Sequence, residues 1–393
     1  MPFAAALSEH PEAPEAVGEV VGAVFERLDR TPDLVVLFLG PPHVDRAGEI
    51  ASAVRAVLRP RVLLGCTAAT VVGPRREVED GPALSLWAGS LGSVQPFRLA
   101  TVRLGAGSSG IVGFPSPDSL PFDARAVLVL ADPFSFPVDA FLEGLTEQTG
   151  VDLPVVGGLA SAGRGPGGNR LLFDDEVVTD GAVGAVLGGV GVRPVVSQGC
   201  RPIGTPMVVT RGADSRIEEL AGRPALERVQ EVLGRLDPNE LAMVRQGLHL
   251  GRVVDEHKDE YERGDFLVRN VVGVDQQAGA LVVGDDVQVG TTVQLHVRDA
   301  GSADEDLASL LGGVSADGAL LFTCNGRGTA LFGEADHDAT LVTDALRAPV
   351  AGMSCAGELG PIGGRSFLHG FTASVVLFSE PGSAPDPGGT LDW

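Results

Sequence analysis

The sequence predicts a mixed α/β protein: two related halves built from repeated strand–helix–strand–strand units, with mixed β-sheets packed together and helices outside. Three observations predict it. A unit of apolar strand, loop, helix, second strand, glycine turn and third strand recurs three times along the 393 residues. The 54 glycines fall between strongly β-like runs, as turn residues do, and not in low-complexity tracts. Residues 195–300 depart from the repeat and read as antiparallel strands separated by turn residues.

The elements follow in order. PEAVGEVVGAVFERL (14–28) places Val17, Val20, Val21, Val24 and Leu28 at helical spacing, which predicts a core-facing stripe. The first strands of the three copies are LVVLFL (34–39), AVLVLA (126–131) and ALLFTC (319–324), ending before Gly40, Asp132 and Asn325. Helix-like segments EIASAVRAVL, VDAFLEGLTEQTG and DATLVTDALRA come next, the last with DHD (336–338) as its expected N-cap. Short strands RVLL, LPVV and APVA then lead into three nonapeptides, GCTAATVVG (65–73), GGLASAGRG (157–165) and GMSCAGELG (352–360). Each begins and ends with glycine and carries small residues at its fourth and fifth places: Ala68-Ala69, Ala160-Ser161 and Cys355-Ala356. Small side chains let a strand approach a neighbouring backbone closely. A further β-run closes each unit: ALSLWAG, GAVGAVLGG and GFTASVVLF. Between the second and third copies, VVSQGCRPIGTPMVVTRGADSRIEELAGRPALERVQEVL reads as strands then a helix, and LHLGRVV, FLVRNVVGV, ALVVGDD and TTVQLHVRD as antiparallel strands. ADEDLASLLGGV (303–314) reads as a short helix with acidic residues in its first turn. The expected organisation is an N-terminal helix region (1–30), an N-terminal domain (31–200), a C-terminal domain (201–378) and a Pro/Gly/Ser-rich disordered tail (379–393).

Composition excludes several functions. A net charge of -23 repels phosphate backbones, and one Tyr and two Trp leave few platforms for stacking bases, so no nucleic-acid partner is expected. No window reaches the run of about 18 apolar residues that spans a bilayer, so no membrane insertion is expected. MPFAAALSEHPEAPEA lacks the basic and apolar regions of a signal peptide, and the expected location is cytoplasmic. Cys66, Cys200, Cys324 and Cys355 form no CxxC pair, which excludes a zinc ribbon or a thioredoxin motif, and disulfides are not expected in that compartment. HExxH, GxxxxGK[ST] and a strand-borne GxGxxG are absent, so no metal site and no nucleotide chemistry are expected.

Candidate site residues lie where the third copy departs from the other two. Cys355 replaces Ala68 and Ala160, and Glu358 replaces Val71 and Gly163. The loop after its first strand is Cys324-Asn325-Gly326-Arg327-Gly328, against GPPH and DPFS, and Arg365 and His369 have no counterpart of their type. Ligands of open α/β sheets sit outside the carboxyl ends of strands, where this loop lies. Its glycines leave backbone N–H groups free to face a ligand, and Arg327 suits a carboxylate or phosphate. The ligand-binding set is therefore Cys324, Asn325, Arg327, Cys355, Glu358, Arg365 and His369. Structural alternatives stand beside each: the cysteines as small buried hydrophobes, a local Glu358–Arg365 pair, His369 bonded to a carbonyl, and Arg327 solvated.

Together these runs resemble a known family. LLFTCNGRGTALFG, PVAGMSCAGELGPIGGRSFLHGFTASVVLF, FLVRNVVGVDQQAGALVVGD and VQLHVRDA resemble the C-terminal half of FIST (F-box and intracellular signal transduction) domains. ALSEHPE, RVLLGCTAATVVGPRREVEDGPALSL and LPVVGGLASAG resemble the N-terminal half, so the similarity spans about residues 5–378. The resemblance implies a stand-alone, non-enzymatic sensory module that binds an amino acid or similar small polar metabolite and acts on a separate signalling partner. No cofactor is implied by the first reading. The first alternative is a haem-binding nitric oxide sensor with a His or Cys axial ligand, the histidines including His43, His249, His296 and His369. The second is an enzyme with Cys324 or Cys355 as nucleophile, His369 as base and Asn325 as oxyanion donor.

Overall fold

The structure is a computed structural model that describes residues 1–105, 108–149 and 153–380. The expected tail from 381 onward lies outside the described residues. The chain divides into two compact units. One comprises residues 1–196, 308–368 and the segment from Thr372; the other comprises Ser197–Leu307 with His369–Phe371. The mixed α/β class and the repeated strand–helix–strand–strand units are as the sequence predicts.

Apart from His369–Phe371, all three copies lie in the first unit, and each builds the middle of one sheet. The parallel pairs are Leu34–Leu39 with Val62–Thr67, Ala124–Ala131 with Val155–Leu159, and Gly318–Cys324 with Val350–Cys355. The crossover helices are Ala47–Leu58, Val138–Thr149 and His337–Leu346. The closing strands Leu84–Gly89, Ala182–Gly188 and Thr372–Ser379 run antiparallel on the far side of each first strand.

The copies are not self-contained. Each sends the β-hairpin that follows its glycine turn into a sheet built by another copy. The hairpin of Val71–Gly73 and Arg76–Val78 joins the third copy's sheet. The hairpin of Leu171–Phe173 and Glu176–Val178 joins the first copy's sheet. Glu358–Ile362 and Arg365–His369 join the second copy's sheet. The exchange is cyclic, and the GG pair at Gly363 and Gly364 (φ 56° and 78°) forms the turn of the last hairpin.

The opening glycine of each nonapeptide makes this exchange possible. Gly65, Gly157 and Gly352 pair with Leu172, Leu359 and Val72 of the incoming hairpins. A Cβ at these glycines would sit 2.4, 2.0 and 1.8 Å from the carbonyl oxygens of Leu37, Val129 and Leu321, the same place in each first strand. Gly157 also holds a φ of 127°, which side chains resist.

The sheets share one apolar core. Phe38, Leu128, Leu130, Leu320, Phe322, Trp87 and Phe378 belong to a single buried cluster, and Trp87 and Phe378 rings lie 4.8 Å apart. The other face of the first sheet packs on Ala13–Arg27 and Ala47–Leu58 through Val17, Val20, Val24, Ile50 and Val54. Burial on both faces explains why LVVLFL is apolar throughout and does not alternate.

The second unit is an antiparallel sheet of Cys200–Ala213, Thr292–Arg298, Leu248–Val253, Phe266–Asp275, Ala280–Val283, Arg216–Leu220 and Arg223–Pro224. Cys200–Ala213 also pairs with Arg216–Leu220, so the sheet closes on itself. Two helices, Ala225–Leu233 and Pro238–Gln246, accompany it, the second opened by an Asp237/Glu240 capping box. The helix expected over 303–314 runs over Ala300–Leu311 and has no acidic residue in its first turn, because it starts earlier than the acidic run.

Gly352→Ala should lower the chemical-denaturation midpoint, equivalent to about 3 kcal/mol, since the methyl group must displace a carbonyl. Gly18→Ala, with nothing within 4 Å of the added methyl in a helix, should raise it by about 0.5–1 kcal/mol. Equal behaviour of the two variants would refute the close-approach role of Gly352.

Candidate functional site

Sheet register redraws the comparison between copies. Val71, Leu171 and Glu358 occupy one position, opposite Met353, Cys66 and Gly158. The counterpart of Glu358 in the second copy is thus Leu171 and not Gly163, because that copy has a longer loop before its hairpin. Likewise Leu39, Ala131 and Thr323 stand opposite Thr67, Leu159 and Ser354, so Cys324, not Asn325, matches Gly40 and Asp132. The residues before Leu84, Ala182 and Ala373 in the closing strands are Ala83, Gly181 and Thr372. Two apolar or small positions have therefore become Glu358 and Thr372 in the third copy.

Arg327 leads this cluster. Its loop is held by Asn325 N–H donating to the Cys355 carbonyl (3.0 Å) and Arg327 N–H donating to the Cys324 carbonyl (2.9 Å). The Arg327 side chain is 1% exposed and donates from Nε and Nη2 to both oxygens of Asp338, at 2.6 and 2.8 Å. The guanidinium lies 5.2 Å from the Phe332 ring, which stacks on His337 at 3.5 Å. Arg327 is thus a buried, paired residue and not a solvated one. Burial alone would raise the Asp338 carboxyl; the Arg327 charge and hydrogen bonds override it and hold the group down to about 2.

The first copy's hairpin braces this pair. Glu77 Oε1 accepts the N–H of Ala339 in the first turn of His337–Leu346 (2.8 Å). Asp336, expected to cap that helix, makes no side-chain cap; it sits at φ 66°, and its carboxylate accepts Glu77 N–H (2.7 Å) and Arg76 Nη1 (3.0 Å). A residue distant in sequence supplies the missing cap. Burial, with the Asp338 charge next, pushes Glu77 up to about 7. Glu79 Oε1 accepts the N–H and hydroxyl of Thr329, both at 2.8 Å.

Glu358 is fully buried. Its Oε2 accepts Thr372 N–H (3.2 Å) and Thr372 Oγ1 (2.8 Å). Thr372, and not Arg365, is its hydrogen-bonding partner. Burial pushes Glu358 up to about 8, against the Thr372 hydrogen bonds and the Arg327 charge. Two buried polar atoms here have no hydrogen-bonding partner: Arg327 Nη1 and Glu358 Oε1. The second copy's buried carboxylate, Asp132, is by contrast bonded on both oxygens, by Asn169 Nδ2 (2.9 Å) and Ser135 Oγ (2.7 Å).

The remaining expected residues are placed as follows. Cys324 stands opposite Cys355 on adjacent parallel strands. Cys355 Sγ fills the space over Gly158, where an added Cβ would come within 2.4 Å of it. Burial, with the Glu358 charge next, pushes the Cys355 thiol well above its ordinary value, the reverse of what a thiolate nucleophile needs. Asn325 is exposed on the loop. Arg365 is exposed on its strand, its guanidinium 5.6 Å from the Phe367 ring. His369 is buried and groups with the second unit, as do His249 and His296. Among the described residues no group of three or more His, Cys, Asp or Glu is disposed to hold a metal ion, and no helix is long and apolar enough to cross a membrane. Sequence reasoning missed Thr372, Asp338, Glu77 and Glu79. Comparison of the closing strands would have shown Thr372 against Ala83 and Gly181; the other three needed the hairpin exchange.

Asp338→Asn should destabilise by about 3 kcal/mol or more, because it leaves a buried guanidinium without its counter-charge. Glu358→Gln should do the opposite with pH. Glu358 holds its proton in the fold up to about 8, but loses it near 4.5 when unfolded. Its contribution is therefore fully present below 4.5 and is lost as pH rises through 8. The melting temperature of Glu358→Gln should gain on that of the unsubstituted protein across this window; parallel curves would refute the assignment.

Comparison with known proteins now bears on the whole chain. Residues 33–223 match the FIST N domain and residues 225–361 the FIST C domain. An uncharacterized protein of Mycobacterium bovis is 45% identical over 385 residues, covering 94% of this chain and 97% of its own. An uncharacterized protein of Mycobacterium tuberculosis is 42% identical over 388 residues, covering 95% and 98%. FIST domains are sensory domains of signal transduction, for which small-ligand binding is the working view. With matches along nearly its full length to both domains and to these relatives, the chain belongs to the FIST family.

Proposed function

We propose that this protein is a non-catalytic sensory module whose small polar ligand docks at the buried polar cluster of the third copy. One observation carries the reading: Arg327 Nη1 and Glu358 Oε1 are buried without hydrogen-bonding partners, at a place where the first copy has only Val71 and Ala83. Leaving a buried polar group unsatisfied costs about 1–3 kcal/mol, and a ligand that engages both groups recovers it. The ligand contacts Arg327 and Glu358, with Cys324 and Cys355 as soft walls and Asn325 at the solvent side of the loop. Arg365 and His369 are not part of this site. The raised Cys355 thiol supports binding in place of chemistry. A separate protein receives the signal.

The test grafts the first copy's residues onto the third. Glu358→Val with Thr372→Ala removes a buried carboxyl and its partner together, so the fold should persist. The unsubstituted protein should show ligand-dependent rises in melting temperature across a metabolite panel, and native mass spectrometry should show the retained mass. Both should vanish in the double variant. A ligand that stabilises the two proteins equally binds elsewhere and sinks the assignment.

A further inference from the structure

The two unpartnered atoms differ from a generic polar pair: Arg327 Nη1 is a donor, and Glu358 Oε1 is one while the carboxyl holds the proton that its burial favours. Arginine has no acceptor, and its Nε and Nη2 are engaged by Asp338, so Nη1 offers N–H groups alone. Glu358 is fully buried, and its Oε2 already accepts both Thr372 donors. A proton on this carboxyl therefore resides on Oε1, which becomes an O–H donor with nothing to receive it. Four nearby carboxylate oxygens are engaged. Asp338 takes Arg327 on both oxygens, Glu77 Oε1 takes Ala339 N–H, and Glu79 Oε1 takes Thr329. Among the described residues, no other buried side-chain atom of this cluster lacks a partner.

We infer that the ligand of this site is a small monocarboxylate, received by Arg327 Nη1 and the protonated Oε1 of Glu358, and not a zwitterionic amino acid. The inference rests on the reading of this cluster as the ligand site. At the two unpartnered atoms an ammonium group would meet donors alone. A carboxylate presents oxygens to both, in the charge-assisted geometry that a guanidinium edge favours. The Arg327 charge is already balanced by Asp338, so a buried anion raises the proton affinity of the neighbouring carboxyls. Glu77, poised at about 7, takes up a proton as the anion enters. Binding is thus coupled to net proton uptake near neutral pH.

Three probes of one carbon skeleton separate the classes: propionate, alanine and propionamide. Titration calorimetry on the full chain at pH 7, in two buffers of different ionisation enthalpy, should show propionate binding with proton uptake. Alanine and propionamide should each bind at least tenfold more weakly. Above pH 8 propionate affinity should fall about tenfold per unit as Glu358 loses its proton. Glu358→Gln keeps a donor at the same place, with Thr372 still served by the amide oxygen. Its propionate affinity should fall less steeply between pH 7 and pH 9 than that of the unsubstituted protein, because only the Glu77 proton is then linked to binding. In a manner abolished by Glu358→Val with Thr372→Ala, propionamide binding as tightly as propionate would overturn the carboxylate, alanine doing so would overturn the exclusion of zwitterions, and either would leave the site in place. Propionate binding unchanged by that double variant would overturn the site itself.

Discussion

The exchange of hairpins between the three copies is the constraint from which the rest of this structure follows. Each sheet is completed by strands from another copy, and each junction runs through a glycine pressed on a carbonyl oxygen. No copy can pair its own hairpin and also complete its neighbour, so the three fold as one body. The contacts that matter are far apart in sequence, such as Val71 opposite Met353 and Leu171 opposite Cys66. Loop-closure entropy must be met before these pairings stabilise anything, which makes the first unit a slow, cooperative folder in principle.

The same exchange assembles the polar cluster. Glu77 and Glu79 arrive on the first copy's hairpin, Glu358 on the hairpin given to the second copy's sheet, and Arg327 and Asp338 on the third copy's loop and helix. Three separate segments thus bring charge to one buried place. The Arg327–Asp338 pair is well formed, yet a buried ion pair is weak as a source of stability and strong as a specifier of geometry. Its effect here is to fix the direction of the remaining N–H groups. Asp132 in the second copy shows what a purely structural buried carboxylate looks like, with every oxygen bonded. Glu358 departs from that pattern.

Much of the fold was legible in the sequence because it lives in local signals. The apolar runs, the helices between them and the nonapeptide glycines all report on backbone geometry near their own position. The pairing of a hairpin with a foreign sheet leaves no local trace, so the roles of Glu77 and Asp336 were not legible. DHD looked like a cap because Asp is favoured there, but Asp336 adopts a left-handed conformation and bonds the incoming hairpin. The loop of the second copy, longer by one hairpin approach, also misaligned Glu358 with Gly163. Cys324, Asn325, Arg327, Cys355 and Glu358 attracted notice by breaking the repeat. Their distribution between buried and exposed places, with Arg327 inside and Asn325 outside, is set by tertiary packing that leaves no local pattern in the sequence.

A frame of three like copies has a consequence for stoichiometry. Had each copy kept the same residues at the Val71, Leu171 and Glu358 position, the chain would present equivalent places in triplicate. Because Glu358 and Thr372 occur in one copy and apolar or small residues fill the matching positions of the others, the degeneracy is lifted. On the proposed reading of this cluster as the ligand site, occupancy would follow a simple hyperbola in ligand concentration. Two positions thus set one copy of a repeating frame apart from the other two.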